Sequence, residues 1–312
     1  MYGNQKYCCF FCLIRLLYLD YQMEDRKMFG AIEAGGTKMV VAVGDERGNI
    51  LRTESIATTT PDETIPKILD FFRDYDIKAV GIGAFGPVCL DKALPDYGRI
   101  GQSPKLSWVG FSWTEAFKNT GIDVVIDTDV NAAALGEAMY GSGKELDDII
   151  YVTIGTGIGV GVYLGGKLLH GMLHPEAGHI LIERNKEDAF EGNCPYHRNC
   201  FEGLAAGPAI EKRYGKPAAL LIDEAKVWEL ESEYIGKALA AYICCYSPKR
   251  IILGGGVMHV EKLFPMIREK TKEYLGEYIK TPEIDDIDSY IVPAGCGGKQ
   301  GIKGALYLAA RQ

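Results

Sequence analysis

Residues 29–57, FGAIEAGGTKMVVAVGDERGNILRTESIA, decide the fold. Three stretches rich in β-branched and other apolar residues are separated by short turns, and the first turn is Gly35-Gly36-Thr37-Lys38. This pattern predicts three consecutive antiparallel strands. A helix is predicted next, from Pro61 to about residue 74, because proline suits the first turn of a helix. A short buried strand, KAVGIGA, follows at residues 78–84.

The second half of the chain repeats this theme. GAIEAGGTKMVVAV at residues 30–43 and YVTIGTGIGVGVYL at residues 151–164 both read as strand, glycine-rich turn and strand. The likeness predicts an internal duplication with two similar halves facing one another. Further helices are expected at about 231–247, at about 260–279 and from Lys299, with the strand RIILGGG between the first two. Helices interspersed with strands place the chain in the α/β class, with mixed rather than all-parallel sheets.

Composition limits the classes of function. A chain of 312 residues with 47% hydrophobic residues has enough length for two domains. The net charge of −8 argues against non-specific binding of nucleic acid. Nine unevenly spread cysteines suggest no disulfide framework and favour the reducing cytoplasm. The apolar stretch within residues 1–27 is too short to span a membrane, and we interpret those residues as a non-native or disordered extension before Met28.

Three glycine-rich turns lie at the ends of predicted strands. Glycine lets backbone N–H groups approach an oxyanion closely, since no Cβ stands in the way. One such turn is explained equally well as a tight hairpin, but three favour a nucleotide held between two domains. None of them matches a P-loop or a dinucleotide-binding fingerprint. The residues concerned are Gly35, Gly36, Thr37 and Lys38, then Gly155, Thr156 and Gly157, then Gly254, Gly255 and Gly256.

Two aspartates stand where the strand DVVIDT, at residues 123–128, meets a predicted helix. Asp129 has two interpretations: an ordinary helix N-cap, or a base that accepts a hydroxyl proton during phosphoryl transfer. Asp127 lies two residues earlier on the same face of the strand, where it could contact magnesium or structure the turn. Asn131 is interpreted as support for the start of the helix.

A histidine and cysteine cluster follows. His179, Cys194, His197 and Cys200 offer two nitrogen and two sulfur ligands, the donor set of a closed structural zinc site. The alternative is a pair of buried cysteines with surface histidines. Glu176 by itself resembles a solvated loop residue, and His170 and His174 are interpreted as loop residues without an assigned role.

Together, these segments resemble the ordered signatures of the ROK family of sugar kinases and repressors. The resemblance runs from about Met28 to the C-terminus, and within the family SPKLSW at 103–108 and CPYHRNC at 194–200 most resemble the bacterial fructokinase subgroup. It is carried by AIEAGGTK at 31–38, GAFGPV at 83–88, TDVNAAALGE at 128–137, TIGTGIGVG at 153–161, HPEAGHI at 174–180 and CFEGLAAGPAI at 200–210.

The resemblance implies an actin-like ATPase fold and a kinase that transfers phosphate from ATP to a hexose, foremost the 6-hydroxyl of D-fructose. Asp129 would be the base, and Glu176, His179 and Glu202 the sugar ligands. Mg²⁺ would accompany ATP, Zn²⁺ would brace the sugar lobe, and Glu33 stands where many members have aspartate. A glucose or mannose kinase of the same family, or a non-catalytic sugar-binding or sensing protein, remains an alternative.

The same resemblance predicts the domain boundaries. An N-terminal domain is expected at residues 28–135, joined by the C-terminal helix at 299–312. A C-terminal domain is expected at 136–298, with the zinc-braced segment at 170–203. A homodimer is the family expectation.

Overall fold

The first of two sheets contains the strands predicted from the deciding segment. The computed structural model describes residues 27–103 and 105–312, so the predicted extension lies outside the described residues except for Lys27. The strand order is β3-β2-β1-β4-β5, with β1, β2 and β3 antiparallel and β4 and β5 parallel to β1. The predicted meander and mixed sheet are confirmed. The strands are β1 (Met28–Ala34), β2 (Lys38–Asp45), β3 (Ile50–Ala57), β4 (Ala79–Ala84) and β5 (Asp123–Thr128).

The second sheet has the order β10-β9-β6-β7-β8 and contains the same unit again. Its central strands β6 and β7 are antiparallel and enclose the second glycine turn, as β1 and β2 enclose the first. Gly165 and Gly166 join β7 to β8 with φ angles of 57° and 74°, the left-handed conformation that a tight hairpin turn requires. The strands are β6 (Ile149–Ile154), β7 (Ile158–Leu164), β8 (Lys167–Leu168), β9 (Arg250–Gly254) and β10 (Ile291–Pro293).

Each predicted helix is present with shifted bounds, and four short helices at residues 201–205, 207–214, 282–285 and 287–290 were not predicted. The helix expected near residue 231 already begins at Ala225, because the buried side chains of Val227 and Trp228 extend its apolar face. In the described part of the chain, no helix combines the length and apolar character needed to cross a bilayer. The helices are α1 (Pro61–Phe72), α2 (Trp113–Phe117), α3 (Asp129–Tyr140), α4 (Phe201–Ala205), α5 (Gly207–Tyr214), α6 (Ala225–Tyr246), α7 (Leu263–Leu275), α8 (Pro282–Asp285), α9 (Ile287–Tyr290) and α10 (Gln300–Ala310).

Helices α3 and α10 lie between the two sheets and pack against one another. Helix α3 contacts β6 and β7 of the second sheet, while α10 contacts β4, β1 and β2 of the first. A side chain at Gly136 would collide with the carbonyl of Gln300, and one at Gly304 with the carbonyl of Ala132. The two backbones are therefore in direct contact, which only glycine at these positions permits.

The buried carboxylate of Glu137, near the end of α3, joins the two chain segments that run between the sheets. It accepts hydrogen bonds from the amides of Ser142 (2.8 Å), Gly295 (2.9 Å) and Cys296 (3.0 Å). Ser142 belongs to the outgoing segment, between α3 and β6, whereas Gly295 and Cys296 belong to the returning one, between β10 and α10. One side chain thus satisfies backbone donors from both crossings.

Candidate active site

Asp129 is the first residue of α3, directly after β5. The N-cap is Thr128, whose hydroxyl accepts a hydrogen bond from the amide of Asn131 at 3.1 Å. The Asp129 carboxylate accepts from the adjacent amide of Val130 at 2.8 Å. The interpretation of Asp129 as an ordinary N-cap is therefore wrong, and its carboxylate is not needed to cap the helix.

Asp129 is exposed to solvent, although neighbouring protein atoms displace part of its hydration. This partial loss of hydration, opposed by backbone hydrogen bonds and reinforced by the negative charge of Glu176, raises its pKa to about 6. The positive character of His174 acts in the opposite direction. The loop after β8 therefore brings Glu176 and His174 within electrostatic reach of Asp129.

His174 holds Glu176 in its ionised form. Nε2 of His174 lies 2.8 Å from Oε1 of Glu176, and this hydrogen bond lowers the pKa of the glutamate. The histidine is only 7% exposed, and its Nδ1 is buried without a partner among the described residues. His174 was predicted to be a loop residue without a role, although the spacing His-Pro-Glu already placed the two side chains close together.

His170 contacts the other aspartate of the pair. Its Nε2 lies 2.9 Å from Oδ2 of Asp127, and the hydrogen bond raises the pKa of the imidazole. Oδ1 of the buried Asp127 accepts from the amide of Thr128 at 2.8 Å and from Nδ2 of Asn131 at 2.7 Å. Both oxygens have protein donors, so the geometry favours the interpretation that Asp127 structures the turn.

The four residues of the predicted zinc cluster lie together, with all ligand atoms within 4.8 Å of one another. Nδ1 of His179 lies 3.7 Å from Sγ of Cys194 and 3.5 Å from Sγ of Cys200. Nδ1 of His197 lies 3.7 Å from Sγ of Cys194. In a tetrahedral zinc site with bonds of about 2.0–2.3 Å, neighbouring ligand atoms are about 3.3–3.8 Å apart. The residues therefore fit a zinc ion.

Glu202 lies between this cluster and the second glycine turn. Its Oε1 is 3.9 Å from Nε2 of His179, the nitrogen that faces away from the cysteines. Its Oε2 accepts a hydrogen bond from the amide of Ile158 at 2.9 Å, where β7 begins. At 3.9 Å, Oε1 of Glu202 and Nε2 of His179 are too far apart for a hydrogen bond. The family resemblance predicted a sugar ligand at Glu202, whereas the bond to the turn was not predicted.

The first glycine turn is closed by a hydrogen bond from the amide of Gly35 to the carbonyl of Lys38 at 3.1 Å. Lys105 reaches this turn from a distant part of the chain, since a side chain at Gly36 would lie 3.3 Å from its Cε. Glu33 precedes the turn, and burial together with the charge of Asp129 raises its pKa. The turn therefore brings a lysine side chain and a carboxylate close to its backbone.

The second and third turns are neighbours. Gly155 accepts a hydrogen bond from the amide of Gly207 at 2.8 Å, and a Cβ at Gly155 would lie 3.6 Å from the nitrogen of Gly256. Gly255 has a φ of 91°, and a side chain there would collide with the backbone of Ile154. A side chain at Gly256 would meet no atom within 4 Å. Open space thus adjoins the third turn.

Over residues 29–312 the chain matches the sequence model of the ROK family. It belongs to this family. A Bacillus subtilis (strain 168) relative is 51% identical over 284 residues, covering 90% of this chain and 95% of the relative. The fructokinase of Pediococcus pentosaceus is 45% identical over 283 residues, covering 90% of this chain and 97% of that protein. The predicted family is confirmed.

Among solved structures, a ROK family glucokinase from Streptomyces griseus, in complex with glucose and AMPPNP, matches with a TM-score of 0.71. It is 29% identical to this ROK protein, and the match covers 91% of this chain and 100% of the glucokinase. The predicted actin-like α/β fold with two sheets is confirmed.

Proposed function

We propose that this ROK protein transfers the γ-phosphoryl group of ATP to a hexose, foremost to the 6-hydroxyl of D-fructose. Support comes from family membership and from the higher identity to a fructokinase, 45%, than to a glucokinase, 29%. Glucose and mannose are the alternative acceptors, because exchanging one hexose for another requires few changes in a pocket.

The carboxylate of Asp129 carries the proposal, because the helix that it begins is capped by Thr128 instead. Phosphoryl transfer needs alignment, neutralisation of charge and a group that accepts the hydroxyl proton. A carboxylate with a pKa near 6 is ionised at neutral pH, yet is a stronger base than an ordinary aspartate. Asp129 would take the proton from the sugar hydroxyl as that oxygen bonds to the γ-phosphorus and the bond to ADP breaks.

Glu176, His179 and Glu202 are proposed to hold the sugar. Glu176 is ionised and lies within electrostatic reach of Asp129, so a hydroxyl bound to it would sit beside the base. Carboxylates accept hydrogen bonds from several hydroxyls, which suits a polyol. For Glu202, the oxygen near His179 would be the one that faces the sugar, since the other is bonded to Ile158.

The phosphates of ATP are proposed to lie along the first two glycine turns, with the adenosine beside the third. The amides of Gly35 to Lys38 and of Gly155 to Gly157 would surround phosphate oxygens, and Lys38 and Lys105 would offset their charge. Magnesium bound with ATP would neutralise charge on the β- and γ-phosphates.

Zinc is proposed at the histidine and cysteine cluster, where it would fix the sugar-binding segment. The ligands would be His179, Cys194, His197 and Cys200, which leaves no open coordination position. We propose the cytoplasm as the compartment, in line with the six free cysteines of the described residues. The domain boundaries and the homodimer stay predictions.

An ADP-release assay tests this function. Purified protein with Mg·ATP is offered fructose, glucose, mannose, N-acetylmannosamine and N-acetylglucosamine, beside the variants Asp129→Asn and Asp123→Asn. Asp123 is an exposed residue at the start of the same strand and serves as the matched control. We expect fructose-dependent turnover that Asp129→Asn lowers by about a hundredfold or more and that Asp123→Asn retains. Turnover with another sugar would correct the substrate alone, whereas zinc-replete protein without sugar-dependent turnover would favour a sensing role.

A further inference from the structure

The loop after β8 is exposed over much of its length, yet it carries Glu176. Residues 169–176 have no regular secondary structure, and Met172 and Leu173 are 95% and 53% exposed. A loop of this kind fluctuates unless its ends are fixed, and fluctuation would move Glu176 relative to Asp129.

Hydrogen bonds from the amide of Leu169 to Val162 and from the hydroxyl of Tyr242 to Ala177 hold the two ends of the loop, and two side-chain contacts of different chemistry add to them. At its far end, His179 belongs to the predicted zinc cluster. Near its start, His170 contacts Asp127, whose side chain is 7% exposed and belongs to the other sheet. Asp127 is itself fixed by Asn131 at 2.7 Å, and Asn131 is completely buried.

We propose that His170 is a positioning residue for sugar binding, which ties the Glu176 loop to the strand that carries Asp129. The proposal rests on the proposed function and deepens it. Nothing in it requires His170 to touch the sugar. His170 acts through Asp127, which lies only two residues before Asp129. Their hydrogen bond, called the tie below, therefore fixes the loop relative to the turn that carries Asp129.

The chemistry of the contact sets the size of the expected effect. A hydrogen bond between imidazole and an ionised carboxylate belongs to the stronger, charge-assisted class. His170 is itself 39% exposed, so part of this strength is lost to solvent. We expect its removal to raise the KM for the sugar about tenfold, with the KM for ATP changed less than about twofold, because the glycine turns do not depend on this loop.

The test compares four variants of the full chain: His170→Ala, His170→Gln, Asp127→Asn and the double variant Asp127→Asn/His170→Ala. Nε2 of glutamine can donate from nearly the position of Nε2 of histidine, so His170→Gln should recover most of the sugar affinity that His170→Ala loses. The sugar KM of the double variant should be no higher than that of Asp127→Asn alone, because the two changes remove the same contact. Additive losses, or equal rises in both KM values, would refute the tie.

A second readout does not depend on catalysis. Chymotrypsin under native conditions should cut His170→Ala faster than wild type at Met172 or Leu173, with His170→Gln close to wild type. Faster cutting in a protein that phosphorylates no sugar would support the tie while refuting the proposed function. Equal cutting of His170→Ala and wild type, together with an unchanged sugar KM, would refute the tie itself.

Discussion

The acid limb of the pH profile gives the sharpest test of the base. With a pKa of about 6, Asp129 is about 91% ionised at pH 7 and about 9% ionised at pH 5, so kcat/KM for the sugar should fall about tenfold between them. At its ordinary value of 3.8 the carboxyl would still be about 94% ionised at pH 5, and the profile would be almost flat.

The assay is initial-rate ADP release at saturating Mg·ATP from pH 5 to pH 8, with circular dichroism confirming that the protein stays folded. Glu176→Gln removes one negative charge near Asp129 and should move the limb to lower pH, although burial, the largest cause, remains. Asp129→Asn should lose about 10²–10⁴-fold in kcat/KM, the range of general-base catalysis. A flat profile in wild type, or a residual activity of Asp129→Asn that keeps the same limb, would refute the assignment.

The same raised pKa predicts that the stability of the fold changes with pH in the opposite direction to the activity. Because burial disfavours the ionised form, the folded state loses stability as the pH rises from about 3.8 through about 6. Asp129→Asn should therefore melt at the same or a higher temperature than wild type at pH 7, in a thermal scan by circular dichroism. A clearly lower melting temperature would show that the carboxylate stabilises the fold, as the excluded N-cap interpretation required.

Three further predictions concern the zinc cluster, the third glycine turn and Lys105. Cys200→Ser should lower the zinc content measured by atomic absorption and lower Tm by about 5–10 °C, as expected when a bound stabilising ion is lost; full zinc content with an unchanged Tm would contradict the cluster. Gly255→Ala should destabilise the fold by about 1–3 kcal/mol in urea unfolding, because of its positive φ, whereas Gly256→Ala, with open space around it, should stay stable and raise the KM for ATP. Equal stability of the two variants would refute this distinction. Lys105→Met should raise the KM for ATP about tenfold and Lys105→Arg should restore most of it, while an unchanged KM in Lys105→Met would remove Lys105 from the phosphate site.

Local patterns predicted the features whose causes are local. The β1–β2–β3 meander follows from alternating apolar runs and a glycine turn within thirty or so residues. The histidine and cysteine cluster was predictable because Cys194, His197 and Cys200 share one short segment and need only His179 from outside it. Strand β10 was missed because three residues are too few to show a period. Helix α8 was missed as well, although the sequence carries a signal for it, since Thr281 caps it and Pro282 follows.

Pairings between distant segments were not predictable. Nothing in the sequence connects His170 with Asp127, because their contact arises only when the loop of the second sheet meets the edge of the first. The bond from Glu202 to the amide of Ile158 has the same origin. Motifs therefore identified the residue types of the site. The hydrogen bonds that orient these side chains depend on how the two sheets face each other.

The glycine contact between α3 and α10 restricts how this enzyme can open and close. With Gly136 and Gly304 in backbone contact, neither helix can tilt away without losing its packing, so the pair must travel as one unit or slide along its own length. Bending would then occur in the two connecting segments, the one that follows α3 and the one that precedes α10. The carboxylate of Glu137 is hydrogen-bonded to both of them. Any opening would therefore bend the two connecting segments at the Glu137 carboxylate that joins them. Asp129 would stay fixed on the helix pair while the other side of the cleft moves.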